Sequence, residues 1–197
     1  MQHDASDHRS GTGRLIFLIG PSGAGKDSLI DASRERLEAA GVEIARRVIT
    51  RSAEAKGEAA QGVTPEQFEA LRAQGAFAMH WRANGLDYGI PRQVDQWLAA
   101  GRSVLVNGSR AYLAEARQRY PDLLAVMVEV KPEVLRQRLL ARGRETADEV
   151  EQRLARSVRL RTATDPSVHV LDNSTALEVA VAGLFALLCD EGVLPRA

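Results

Sequence analysis

The chain has 197 residues, 45% of them hydrophobic, which suits one domain with a sizeable core. Its 26 basic and 26 acidic residues cancel, excluding a global field that would gather nucleic acid or an anionic membrane, so phosphate chemistry must rest on local cations. The lone cysteine, Cys189, excludes an internal disulfide framework and fits a reducing cytoplasm, and the early apolar run Leu15 to Gly20 is too short for a signal segment or a membrane span.

Residues 1–13 are polar, carry two glycines and predict a disordered tail ahead of a single domain over 14–197. From there apolar runs and helical patterns alternate, which predicts an α/β fold with a mainly parallel sheet flanked by helices. Arg14–Ile19 reads as a buried first strand, followed by a helix from Lys26 to about Ala40 that Gly41 ends. Val42–Thr50 reads as one second strand and 51–63 as a loop. Thr64-Pro65 opens a helix, with threonine as cap and proline in the first turn, running to about Gln74. Phe77–Arg82 and Leu86–Ile90 flank Asn84-Gly85, a hairpin turn signal, and Pro91 opens a helix ending near Gly101. Then come a strand at Ser103–Val106, a helix at Ser109–Tyr120, a strand at Leu123–Val130 and a helix at Pro132–Ala141. The charged stretch Gly143–Glu149 interrupts the pattern before a helix from about Asp148 to Thr162, a last strand at Val168–Leu171 and a last helix at Thr175–Cys189.

The segment Gly20, Pro21, Ser22, Gly23, Ala24, Gly25, Lys26 joins the first strand to the first helix, the context that the phosphate-binding motif G-x-x-x-x-G-K-[ST] requires. Glycines let several backbone N–H groups converge on one phosphate, and the helix start adds partial positive charge. Lys26 is expected to reach the β- and γ-phosphates of ATP, with the binding loop extending through Ser28. Only three of the 26 basic residues are lysines, yet one stands here, where a compact ammonium on a flexible stem suits the task better than a planar guanidinium. The next residue is Asp27 in place of the usual Ser or Thr. Its carboxylate suits Mg²⁺, directly or through water, and equally suits a helix cap; the two alternatives stay open.

Four stretches, GPSGAGKDSL, HWRANGLDYGIP (His80–Pro91), VLVNGSR (Val104–Arg110) and RQRLLARGRE (Arg136–Glu145), together with Thr50-Arg51, resemble the guanylate kinase family over most of residues 14–188. The resemblance implies a P-loop kinase domain with an acceptor-binding insertion at about 50–91 and a lid at about 142–150. It implies Arg51 and Tyr88 as acceptor-phosphate ligands, and Arg142 and Arg144, with Arg153 nearby, as arginines closing over the transferring group. Departures from the family set the acceptor. Met79 falls where guanylate kinases place a base-reading carboxylate, and Asn107 near where they carry an acidic residue, while Arg110 adds positive charge. The phosphate end of the acceptor pocket is thus expected to persist without the base end. Within the family the chain resembles a branch that phosphorylates ribose 1,5-bisphosphate with ATP and Mg²⁺ in phosphonate breakdown, and the resemblance implies that activity.

That chemistry needs no general base, since the attacking phosphate oxygen is already anionic, so His80 is read as a core or pocket-wall residue and not as a base. Asp172-Asn173 is either the family's loop near adenine or a turn before the last helix. The competing readings are a guanylate or other nucleoside monophosphate kinase and a non-catalytic guanylate-kinase-like interaction module. A small sugar phosphate is the expected partner, with homo-oligomerisation open and neither nucleic acid nor membrane expected.

Overall fold

In the computed structural model, which describes residues 13–51, 60–143, 146–159 and 165–195, the first strand is buried on both faces. This strand, β1 (Leu15–Ile19), leads through the glycine-rich turn into α1 (Lys26–Ala39). Ile16 and Leu18 point into one core cluster, and Leu15, Phe17 and Ile19 into a second on the opposite face. That two-sided burial is why the run is continuously apolar and not alternating.

The predicted second strand is in fact two. β2 (Glu43–Ile44) and β3 (Val48–Ile49) belong to different sheets, and the chain crosses between them at Ala45–Arg47. The arginine pair Arg46-Arg47 stands at the break, but apolar residues on either side of it let Val42–Thr50 read as one run. Residues 61–62, expected in a loop, form β4 (Gln61–Gly62) beside β3. The expected helix start is borne out: α2 (Pro65–Ala73) carries a complete capping box between Thr64 and Gln67. The hairpin also forms, from β5 (Phe77–Ala83) and β6 (Leu86–Pro91), with Asn84 and Gly85 both at positive φ. Pro91 closes that strand, and α3 (Gln93–Ala99) begins two residues later.

Next come β7 (Val104–Asn107), a 3₁₀ turn at Arg110–Tyr112, α4 (Leu113–Arg119), β8 (Leu124–Glu129) and α5 (Pro132–Arg142). α6 (Ala147–Arg159), β9 (Val168–Asp172) and α7 (Leu177–Asp190) complete the order. Five parallel strands run β2-β7-β1-β8-β9, and a smaller mixed sheet runs β4-β3-β6-β5. Because β1 is central and the chain builds outward to both sides of it, the crevice at the carboxyl ends of β7, β1 and β8 is the natural ligand site of such a sheet. Residues 1–12 of the expected 1–13 tail, most of the expected 51–63 loop and the end of the expected 148–162 helix lie outside the described residues.

One polar cluster ties α3 to the end of α4. The Tyr120 hydroxyl donates to Asp95 at 2.6 Å, and Arg119 donates to the same carboxylate at 2.7 Å. Burial, followed by the bond to the Asp95 carboxylate, pushes the Tyr120 phenol up to about 12. Its folded pKa therefore exceeds the unfolded value of about 10. The contribution to stability is whole below that unfolded value and is lost as pH climbs toward the folded one. A phenolate absorbance titration is expected to show one tyrosine ionising near 12, and Tyr120→Phe to remove that component.

Candidate active site

The loop after β1 has the form its glycines predict. Gly23 and Gly25 sit at φ 92° and 84°, in the left-handed region where a side chain is strained. A Cβ on Gly25 would also lie 2.6 Å from the Asn173 amide nitrogen. That amide, 2% exposed at the end of β9, donates to the Ala24 carbonyl at 2.7 Å and clasps the loop from below. Asn173 thus stands under the phosphate loop, a third placement beyond the two open for it. Lys26 folds back over the loop mouth, donating to the carbonyls of Gly20 at 2.9 Å and Pro21 at 3.2 Å. Gly25 at the cap position of α1 makes no side-chain cap bond, and the helix start offers its partial positive charge to an anion.

This decides between the alternatives for Asp27 in one respect: its carboxylate does not cap the helix. Asp27 Oδ1 accepts from Asn107 Nδ2 at 2.6 Å and from Arg47 Nη2 at 3.4 Å. Arg47 also donates to the Asn107 carbonyl at 3.3 Å, and its guanidinium lies over the Tyr88 ring, 5.5 Å from the centroid. At 9% exposure it is a nearly buried cation, joining the glycine-rich loop to the cleft wall that carries Tyr88. Sequence reasoning missed Arg47. The signal available was the arginine pair Arg46-Arg47 within the mostly apolar run Val42–Ile49; reading that run as one strand hid it.

A cleft of about 1070 Å³ runs from the loop along the smaller sheet. The predicted residues Lys26, Asp27, Arg51, Tyr88, Asn107 and Arg110 all line it, with Gly20, Ser22, Gly23, Gly25 and Ser28 at its loop end. Ala24 is fully buried. Burial lowers the pKa of Arg110, opposed by the nearby Glu129 carboxylate, and an arginine keeps its charge at neutral pH through such a change. From α5, Arg138 reaches the same cleft, with its Nη1 shielded from water and unpartnered among the described residues. Arg144 lies outside the described residues, as do the side chains of Arg142 and Arg153. Arg136, on the same helix, pairs with Glu151 of α6 at the surface.

Two expectations need correction. Met79 is 1% exposed in the second core cluster and does not line the cleft. On a strand the next residue of that face is two positions on, and it is Trp81 that reaches the cleft wall. His80 points the other way and is exposed, so it is neither core nor pocket wall. Trp81 stacks on Tyr88, its cross-strand partner, with centroids 5.7 Å apart and planes within 5°, and meets Tyr112 at 5.4 Å. Burial raises the Tyr112 phenol above its usual value, against the opposite pull of a hydrogen bond to the His80 backbone.

No family model matches the chain. Ribose 1,5-bisphosphate phosphokinase PhnN of Pseudomonas paraeruginosa is 63% identical over 177 residues, spanning 90% of this chain and 96% of its own length. The protein of the same name from Azotobacter vinelandii is 61% identical over 89% of this chain and 96% of its own. The one from Thiobacillus denitrificans is 48% identical over 94% and 97%. Among solved structures, guanylate kinase from Anaplasma phagocytophilum superposes with a TM-score of 0.65 at 18% identity, over 92% of this chain and 87% of that one. An unliganded sugar kinase from Janibacter matches at a TM-score of 0.52, again at 18% identity, over 93% and 99%. These two likenesses speak for the fold alone: the α/β, guanylate-kinase-like fold expected above.

Proposed function

The chain belongs to the ribose 1,5-bisphosphate phosphokinase PhnN family, and on that premise we propose that it transfers the γ-phosphoryl group of ATP to ribose 1,5-bisphosphate. The products are 5-phospho-α-D-ribose 1-diphosphate and ADP. The observation that carries this reading is the 63% identity to the Pseudomonas paraeruginosa enzyme over nine-tenths of the chain. A cytoplasmic role in phosphonate catabolism follows from the same reading. No helix among the described residues is long and apolar enough to cross a membrane.

In the reaction, an anionic oxygen of the 1-phosphate forms a bond to the γ-phosphorus. The bond from that phosphorus to the β-bridging oxygen breaks, and its electron pair leaves with ADP. No proton has to move, so the protein's task is positioning and charge neutralisation. The loop from Gly20 to Ser28 would seat the ATP phosphates, with Lys26 as the cation closest to the transferring group. Arg51, Tyr88, Asn107 and Arg110, with Arg153, would hold the acceptor, and Arg142 and Arg144 would come from the lid.

The donor set suits Mg²⁺ carried in on ATP. Mg²⁺ is commonly bound through one or two carboxylates plus substrate phosphates and water, and Asp27 supplies a carboxylate at the cleft. No group of three or more His, Cys, Asp or Glu gathers among the described residues, which leaves most of the coordination sphere to phosphate and water. When bound, the ion neutralises charge on the β- and γ-phosphate oxygens. Asn107 and Arg47 fix the Asp27 carboxylate in orientation through Oδ1.

The assay supplies ATP and Mg²⁺ with either ribose 1,5-bisphosphate or GMP and follows ADP. Rapid release with the sugar bisphosphate and little with GMP is expected. Faster turnover of GMP would overturn the acceptor assignment, and no turnover of either would favour a non-catalytic module.

A further inference from the structure

The missing carboxylate explains only part of how a site of this fold refuses nucleotides. A pocket without that carboxylate but with an open aromatic wall still attracts a flat base, because every base has a π-face and stacking on tyrosine needs no hydrogen-bond match. Met79 cannot obstruct a base, since it is sealed in the core away from the cleft. The aromatic wall is Tyr88, and its ring is already engaged by planar groups of the protein itself.

Those groups form a continuous series. The Arg47 guanidinium lies over Tyr88 at 5.5 Å, Tyr88 stacks on Trp81 at 5.7 Å with planes 5° apart, and Trp81 meets Tyr112 at 5.4 Å. Three separate pieces of backbone hold it: the crossing between β2 and β3, the β5–β6 hairpin and the 3₁₀ turn after β7. Within the hairpin, Trp81 and Tyr88 are direct cross-strand partners, a pairing that fixes their rings against each other. An indole is a fused five- and six-membered aromatic bicycle, the same skeleton size as a purine. A sugar ring, by contrast, has no flat face and asks nothing of Tyr88 by stacking.

We propose that the Trp81 indole takes the place on Tyr88 that a purine ring would occupy, and is thereby the residue by which this site refuses purine nucleoside monophosphates. The inference rests on the sugar-phosphate reading of the acceptor site and adds how the selection is made. Trp81 touches the acceptor cleft, whereas Tyr112 and Arg47 act through the rings they hold.

The test measures binding of GMP and AMP by calorimetry to the wild-type protein and to Trp81→Ala. Both are saturated with Mg²⁺ and a non-hydrolysable ATP analogue, so that the donor site is filled. The expected result is a gain of about tenfold in purine nucleotide affinity for the variant, the worth of one base–aromatic stack. Ribose 5-phosphate, which lacks a base, is expected to gain nothing. A folded variant with unchanged purine affinity overturns the proposal, and so does an equal gain by ribose 5-phosphate. Should Trp81→Ala fail to fold, Trp81→Leu keeps an apolar filler at the hairpin while uncovering Tyr88, and the same results decide. Failure of the acceptor reading itself is seen separately, as rapid GMP turnover by the unmodified protein.

Discussion

Replacing Lys26 by alanine lowers kcat/KM by about 10²–10³-fold, the typical cost of removing one preorganised donor from a developing charge. The thermal midpoint is expected to shift little, because the ammonium's bonds to the carbonyls of Gly20 and Pro21 lie within its own loop. Those carbonyls remain near the surface of an open cleft, where water takes the place of the lost donor. Arginine does not rescue. Its planar fork cannot fold back over the loop as the short-headed lysine does, and a compact point charge is the better fit between two phosphates. Steady-state kinetics beside a thermal melt checks both halves, and a variant retaining full activity would refute the assignment of the loop.

The second large effect is expected at Arg47. Arg47→Met keeps much of the volume and removes the charge. It leaves the Asp27 carboxylate with Asn107 as its remaining donor among the described residues and takes the cation off the Tyr88 ring. A drop of about 10- to 100-fold in kcat/KM is expected from the loss of orientation alone. Breaking a nearly buried pair also destabilises the fold. Because the Asp27 side chain is more than a third exposed, the loss is set at about 1–2 kcal/mol, below the figure for a fully buried pair. For a chain of this length that is about 5 °C in the melting midpoint. Arg47 acts through Asp27, so the deciding measurement is a double-mutant cycle with Asp27→Asn. The two losses should fall short of additive by about 1 kcal/mol. Fully additive losses would mean that Arg47 serves the fold and not the carboxylate.

What was legible in the sequence was what is decided locally. The loop from Gly20 to Lys26 declares itself because a strand, a fixed glycine spacing and a helix start follow one another within a few residues. The same holds for the Thr64 capping box and the Asn84-Gly85 turn. Arg47 was illegible because its partners come from elsewhere: Asp27 is 20 residues away, and the Asn107 carbonyl 60. The Arg46-Arg47 pair interrupts Val42–Thr50 but does not by itself tell that the chain leaves one sheet for another there, since apolar residues flank it on both sides. Met79 shows a different limit. Its place along the hairpin was readable, but which wall it forms depends on the irregular register between Phe77 and Met79 and on how deep the strand lies in the core. Trp81, two residues on, is the one that reaches the cleft wall.

The clasp of Asn173 on the Ala24 carbonyl spans 149 positions of the chain. The loop that looks most self-contained in the sequence is therefore finished by nearly the last strand to be made. During synthesis the amino-terminal half emerges first, carrying β1, the glycines and α1, but without the amide that holds the loop in shape. Long-range closures of this kind are slow to form. The loop reaches its finished shape only once β9 has docked and brought the Asn173 amide to the Ala24 carbonyl.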